Sequence, residues 1–366
     1  MNVTILGGGH GCYAAAVEMA ERGHAVRLWR RDRAALDTLQ AIGSLAVRDY
    51  RGTRRIELGS RLQLVGDLAM ALDRADLIVI PLPSTTHLSL ASEVAPLLRE
   101  GQVVFLPPGT FGSYVFAKAL HECGNHADVA FAETGTLPYL VRKHAADQLV
   151  ISGYATRLPT GVFPSRLAEH AFAVLREAYP SVEPLEDALS GALMNAGPII
   201  HPPLILMNAG PLEHFASWDI HNEGTQPSVR RVTTQLDAER MRIREALGYP
   251  APHFPLADHY NTDQGDEWMY GRGAHGTLTD SGDWREKIDL QEHRYMLEDT
   301  RLGLSLLVSV GRWAGVPTPV AAGLLALASA VTGRDLYAEG RTLESLGLAS
   351  LGREQMSRLL REGFAS

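Results

Sequence analysis

Hydrophobic positions fall into two regimes along this chain. In the first half they form short runs rich in β-branched residues, at 3–6, 25–29, 77–82, 103–106, 129–132 and 149–152. Runs of this length bounded by turn residues predict buried, mostly parallel strands. Helical spacing lies between several of them, at 13–22, 87–98, 113–121 and 167–178, with 180–184 as a connector. Alternating strand and helix predicts an α/β domain with a doubly wound sheet. From about Leu185 onward the character changes, and 230–247, 292–314 and 319–331 read as long helices. The expected plan is therefore an α/β domain over 1–184, an all-α domain over 185–366 and a cleft between them.

The first strand runs into Gly7-Gly8-Gly9-His10-Gly11-Cys12, and an Ala-rich helix follows, closed by Gly23 before the second strand. Strand, Gly-rich turn, helix and strand within about 30 residues is the context of a dinucleotide-binding Rossmann domain. Gly7 permits the tight turn, and Gly9 lets backbone approach a pyrophosphate. The helix N-terminus at His10 and Gly11 offers unpaired N–H groups to the anion. Cys12 takes the third position of the pattern, where Gly or Ala is usual, and is small enough to keep helix and strand packed. Strand ends in such a sheet line the ligand crevice, which adds Pro83, in the turn after 77–82, to the cofactor candidates.

A fold of this kind that prefers NAD usually ends its second strand in Asp or Glu, for the ribose 2′-hydroxyl. Here Trp29 is followed by Arg30 and Arg31. Guanidiniums suit a 2′-phosphate because they bind phosphate in a planar, bidentate way. The expected cofactor is thus NADP rather than NAD, with an ordinary solvated Arg pair as the plainer account.

The second half of the chain holds an apolar, helix-length segment from Met194 to Phe215, with Asn-Ala-Gly-Pro on either side of His201. Pro198, Pro202 and Pro203 remove backbone donors and disfavour regular helix. A greasy helix broken around a histidine can aim an imidazole and free carbonyls into a cleft. A kinked core helix with a satisfied histidine fits the same residues. Further on, 292–300 reads EHRYMLEDT. Five residues of α-helix turn through about 500°, which sets Arg294 and Asp299 some 140° apart. They share a cleft only if the helix start projects into it. A cleft carboxylate can hold a histidine in one tautomer, and an arginine can clamp a substrate carboxylate; a solvated, charged helix start is the alternative. The irregular stretch 248–289 carries Trp268, Tyr270, Trp284, His253, His259 and His275. Its histidines match no metal-ligand spacing, so no metal is expected, and the segment reads as a substrate loop.

Composition narrows the classes. The 366 residues carry a formal net charge of −8, which argues against a nucleic-acid partner. No apolar run is long enough to span a bilayer, and Met1 runs directly into a strand rather than a leader. Only Cys12 and Cys123 occur, which suits a reducing cytoplasm. A homodimer is compatible with the sequence. Of 34 basic residues only Lys118, Lys143 and Lys287 are lysines.

The chain resembles the octopine dehydrogenase family, most closely the bacterial branch typified by N-(1-carboxyethyl)-L-norvaline dehydrogenase. The resemblance spans nearly the whole chain. It is carried by the Gly7–Cys12 loop, Glu133-Thr134-Gly135-Thr136-Leu137-Pro138-Tyr139, the block from Asn195 to Glu213 with His201-Pro202, and Pro227-Ser228-Val229 leading to Leu236-Asp237-Ala238-Glu239-Arg240. Arg294-Tyr295 with Glu298-Asp299, Val316-Pro317-Thr318-Pro319 and Gly340-Arg341-Thr342-Leu343-Glu344 complete it. The last block reads as structural. The resemblance implies that His201 and Asp299 form a catalytic dyad and that Arg294 helps bind a carboxylate; Thr136 and Asn208, within the shared blocks, are further substrate-contact candidates. It implies a reductive condensation, in which a 2-oxo acid and the amine of an amino acid form an imine that is reduced to an N-(1-carboxyalkyl) amino acid. Cys12, and Arg30 where the norvaline-type relative carries an acid, depart from the pattern. Three other plans compete: a ketopantoate- or β-hydroxyacid-type reductase, a glycerol-phosphate-type dehydrogenase and a non-catalytic NADP sensor. The first two typically place a Lys acid on the first interdomain helix, where this chain has His201. The third needs no His, acid and Arg together.

Overall fold

A computed structural model of the chain describes residues 1–256, 269–270, 282 and 284–364. It divides into two compact units. The first comprises Met1–Leu82, Thr86–Ala192 and the C-terminal stretch from Arg358; the second comprises Leu193–Ser357 together with Pro83–Thr85.

The first unit is built on strands β1 (Asn2–Leu6), β2 (Ala25–Trp29), β3 (Ser44–Asp49), β4 (Gly52–Glu57), β5 (Leu62–Val65), β6 (Leu77–Val79), β7 (Val103–Leu106), β8 (Ala130–Thr134), β9 (Tyr139–Ala145), β10 (Gln148–Tyr154), β11 (Leu158–Phe163) and β12 (Val182–Pro184). Eight of these form one sheet in the order β12-β11-β8-β7-β6-β1-β2-β5. Every neighbouring pair is parallel except β11 with β8. The chain leaves β1 toward β2 and β5, then crosses back to β6, β7 and β8, so this is the doubly wound sheet expected. Its switch point lies between β1 and β6, where such sheets bind ligands.

A second sheet, ordered β4-β3-β10-β9, is the main departure from the expected plan. Residues 149–152, expected as a strand, do form one. They belong to β10, antiparallel to β9 and parallel to β3. This sheet and the large one both pack against the helix His10–Glu21. Helices buried on all sides must be apolar all round, and here Gly11 to Ala20 are buried in an unbroken run. Alanine keeps that helix thin enough for two sheets to approach. An ion cluster closes the far end of this layer: Arg54 and Arg51 reach Asp49 at 2.8 and 2.7 Å, and Tyr154 donates to the same carboxylate at 2.7 Å.

Among its described residues the second unit is helical apart from a two-residue ribbon, β13 (Trp218–Asp219) with β14 (Arg285–Glu286). Two shared blocks are structural there. On the helix Pro227–Ala246, Arg240 is buried, pairs with Asp237 at 2.6 Å and donates to the carbonyls of Leu193, His253 and Phe254. Its neighbour Glu239 accepts from the Val320 and Ala321 amides, satisfying orphan donors at the start of the helix Pro319–Thr332. Thr342 forms a capping box with Ser345.

Two expected elements changed. The segment around His201 is a continuous helix, Gly197–Met207, not one broken at the histidine. Because it starts at Gly197, Pro202 and Pro203 fall in its second turn. They still remove the donors that would have reached the carbonyls of Pro198 and Ile199. The expected helix 292–314 splits into a π-helix, Tyr295–Leu304, and an α-helix, Ser305–Ala314. The Thr300 hydroxyl donates to the Tyr295 carbonyl five residues back, at 2.8 Å. Of the expected substrate loop, Trp268, His259 and His275 lie outside the described residues.

The helix Gly197–Met207 and the π-helix pack directly. A Cβ at Gly303 would lie 2.1 Å from Pro198 Cγ. Gly303→Ala therefore forces the two helices apart and is expected to destabilise the protein by about 1–3 kcal/mol, the usual cost of overpacking. Urea or thermal melts check this, and an unchanged melt contradicts the close approach.

Candidate functional site

His201 sits in the first half of its helix and Asp299 in the π-helix that packs on it. Their Nδ1 and Oδ2 atoms are 2.7 Å apart, with side-chain exposures of 14% and 5%. The i→i+5 bonding of a π-helix brings residue i+5 back over residue i. The 140° separation of Arg294 and Asp299 expected for an α-helix therefore does not apply. Arg294, capping the π-helix N-terminus, is close enough for its charge to act on both Asp299 and His201.

Burial decides the proton chemistry. It pushes the Asp299 carboxyl up to about 7, against the opposing pull of Arg294. It pushes His201 well below its ordinary value, and Arg294 adds to that shift. Each charge is costly in this setting. Burial thus disfavours the charged form of each partner, and two groups this close titrate as a coupled pair. The hydrogen bond to Asp299 uses Nδ1 of His201. Beside it, Glu298 is also buried and pushed up to about 7 by burial and by the neighbouring Asp299. It accepts the Ser84 amide at 2.7 Å, and the Ser84 carbonyl accepts from Arg341 at 3.0 Å.

Tyr295 is the residue sequence reasoning missed. Its ring stacks on the His201 imidazole with centroids 3.8 Å apart and planes 18° apart, and the Arg294 guanidinium lies 5.3 Å from the same ring. The adjacency of Arg294 and Tyr295 was visible, but nothing in it predicts which face of the helix would meet His201. Arg294 is exposed, and among the described residues no hydrogen bond or ion pair occupies its guanidinium, so its fork of donors suits an incoming carboxylate. His221 stands edge-on to His201 at 6.2 Å, and Trp284 edge-on to His221 at 5.1 Å.

Asn208 does not join this group. Its amide donates to the Leu204 and Gly224 carbonyls and accepts from the Trp218 indole, so in the structure it is a buried lock at the end of the His201 helix. Thr136 lies in the first unit, half-buried between β8 and β9.

The first unit carries the nucleotide candidates. Gly7 has φ +120°, and a Cβ there would strike Leu82 and the Cys12 sulfur. Cys12 is fully buried, its thiol pushed up to about 12 by burial, and it fills the place of the third glycine. At Gly9, the cap of the helix His10–Glu21, a Cβ would meet nothing within 4 Å. Open space over a helix N-terminus is what a pyrophosphate needs, so these residues fit a dinucleotide. A Cβ at Gly11 would strike Leu137 at 2.6 Å, so that glycine serves packing. The Arg30 side chain lies over Gly8 and donates to the Tyr13 hydroxyl at 2.5 Å. Arg31 is exposed and paired with Glu93 at 2.6 Å, away from Gly8. Pro83 belongs to the short segment grouped with the second unit.

A Cβ at Gly197 would lie 2.0 Å from Asp299 Oδ1. Gly197→Ala is expected to push the carboxylate off Nδ1. The imidazole titration followed by NMR then shifts and turnover falls, with nucleotide affinity unchanged. Unaltered titration and turnover contradict the contact.

Comparison with known proteins covers both units. A family profile described as NAD/NADP octopine/nopaline dehydrogenase, alpha-helical domain, matches residues 184–332, and one described as NAD-dependent glycerol-3-phosphate dehydrogenase N-terminus matches 2–109. The opine dehydrogenase of Arthrobacter sp. strain 1C is 30% identical over 356 residues, covering 95% of each chain. The vitopine synthase of Allorhizobium ampelinum is 26% identical over 94% of this chain and 95% of its own. An octopine dehydrogenase solved with NADH and agmatine superimposes with a TM-score of 0.74 at 17% identity, over 100% of this chain and 99% of that one, a likeness of fold.

Proposed function

The chain belongs to the opine dehydrogenase family, and from that premise we propose that it condenses a 2-oxo acid with the amine of an amino acid and reduces the product, with NADP(H) as its preferred cofactor. It is an NAD(P)-dependent oxidoreductase. The observation that carries the reading is the buried His201–Asp299 pair with an unspent Arg294 beside it.

The chemistry needs a neutral amine and a reversible proton store. An amino acid arrives as an ammonium ion. In our reading Nε2 of His201 takes that proton, while Asp299 holds the ring in one tautomer and balances the imidazolium. The freed amine attacks the keto carbon, one of its protons passes to the former carbonyl oxygen, and His201 returns its proton to that hydroxyl as water leaves, giving the protonated imine. The bound nicotinamide supplies the hydride that turns the imine carbon into the C–H of a secondary amine. Arg294 holds a substrate carboxylate, and stacking on Tyr295 fixes the plane of the His201 ring. Arg30, at the end of β2 and over Gly8, supports NADP over NAD. The unpaired Cys12 and Cys123 suit a reducing compartment, and the cytoplasm is the location we propose.

A matrix of oxo acids against amino acids, read by NADPH absorbance and product mass, tests this. Consumption is expected to require both partners and to rise toward mildly alkaline pH, as more amine loses its proton. Arg294→Ala is expected to raise KM for a carboxylate substrate by more than it lowers kcat. Hydroxy acid as the main product, with no dependence on added amine, moves the protein to the ketone-reductase class.

A further inference from the structure

Lys143 occupies an unusual place for one of only three lysines. It lies on β9, in the second sheet, and its Nζ stands 4.8 Å from the centre of the Tyr13 ring. The Arg30 guanidinium reaches the same tyrosine from the other side of the sequence, at 2.5 Å from its hydroxyl and 5.7 Å from its ring centre. Among the described residues no hydrogen bond or ion pair engages Lys143. The nearest carboxylate to Arg30 is Asp32 at 3.9 Å, largely exposed and already capping the helix Arg33–Ile42. Two cations thus flank one ring in the first turn of the nucleotide helix, with no anion between them.

Like charges held together are unfavourable unless something negative completes the group. Burial and the charge of Arg30 both push the Lys143 ammonium down from its ordinary value. A cation–π contact offsets part of that cost, but an anion would offset more. The Arg30 side chain is 15% exposed, and Lys143 is half-buried.

We propose that Lys143 and Arg30 together cradle the 2′-phosphate of NADP(H), with Arg30 as the planar fork and Lys143 as the point charge. The inference rests on the cofactor preference proposed above and adds to it a residue from a different sheet. A phosphomonoester carries close to two negative charges at neutral pH, so it matches two cations better than a ribose hydroxyl or a single carboxylate does. Arg31, paired with Glu93, is left out of the cradle.

The test measures dissociation constants of NADPH, NADH, 2′,5′-ADP and 5′-AMP for the wild type and for Lys143→Met, Lys143→Arg and Arg30→Ala. Methionine keeps the stem over the Tyr13 ring and removes only the charge. Lys143→Met is expected to weaken NADPH and 2′,5′-ADP by about tenfold, roughly 1.4 kcal/mol, and to leave NADH and 5′-AMP unchanged. Lys143→Arg is expected to restore most of the loss. Equal weakening of NADPH and NADH, or no weakening of either, overturns the cradle while leaving the cofactor preference standing. A wild type that favours NADH overturns the preference. The cradle then survives only if 2′,5′-ADP still binds more tightly than 5′-AMP and loses that advantage in Lys143→Met.

Discussion

A hydrogen bond of 2.7 Å between a largely buried imidazole and a buried carboxylate is the constraint on which the rest of the helical unit turns. Neither partner is comfortable there alone. A lone carboxylate in that setting would stay protonated, and a lone imidazole would stay neutral. In the mechanism we propose, together they hold one proton and pass it through Nε2. The surrounding sequence serves that geometry. Gly197 and Gly303 remove the side chains that would separate the two helices, and Asn208 locks the end of the helix that carries His201. The buried Arg240 and Glu239 tie the helices behind them.

The nucleotide unit follows a different logic. There the backbone does the recognition, and side chains either stand clear of it or set selectivity. Gly9 leaves the helix N-terminus open, while Gly11 and Cys12 are packing positions. The residues around Tyr13, to which we assign selectivity, come from the first helix, the end of β2 and the second sheet. An alanine-rich helix wrapped by two sheets brings all three together.

Much of this was legible in the chain. The short β-branched runs and the Gly-rich turn marked the parallel sheet, because strands buried on both faces must be continuously apolar. The second sheet was not legible. Strand β4 reads GTRRIE, with arginines that face solvent or the ion cluster, and β9 turns polar after Val141. His201 stood out in its apolar, proline-interrupted segment, and its pairing with Asp299 through the blocks shared with relatives. Spacing on a regular α-helix pointed the other way, since it separated Arg294 from Asp299. The π-helix that reconciles them is fixed by packing against Pro198 and by the Thr300 hydroxyl, and no local pattern announces it. Lys143 was hidden for a similar reason: its neighbours are set by which sheet β9 joins.

The central claim is that His201 and Asp299 work as one proton-holding unit. The most direct test is a double-mutant cycle of His201→Ala and Asp299→Asn, followed through kcat/KM with nucleotide affinity as the control. The account predicts that each single change removes most of the turnover, that the double variant is little worse than the His201 variant, and that NADPH binding is unaffected throughout. Losses that simply multiply, or an Asp299→Asn enzyme that turns over like the wild type, would contradict it.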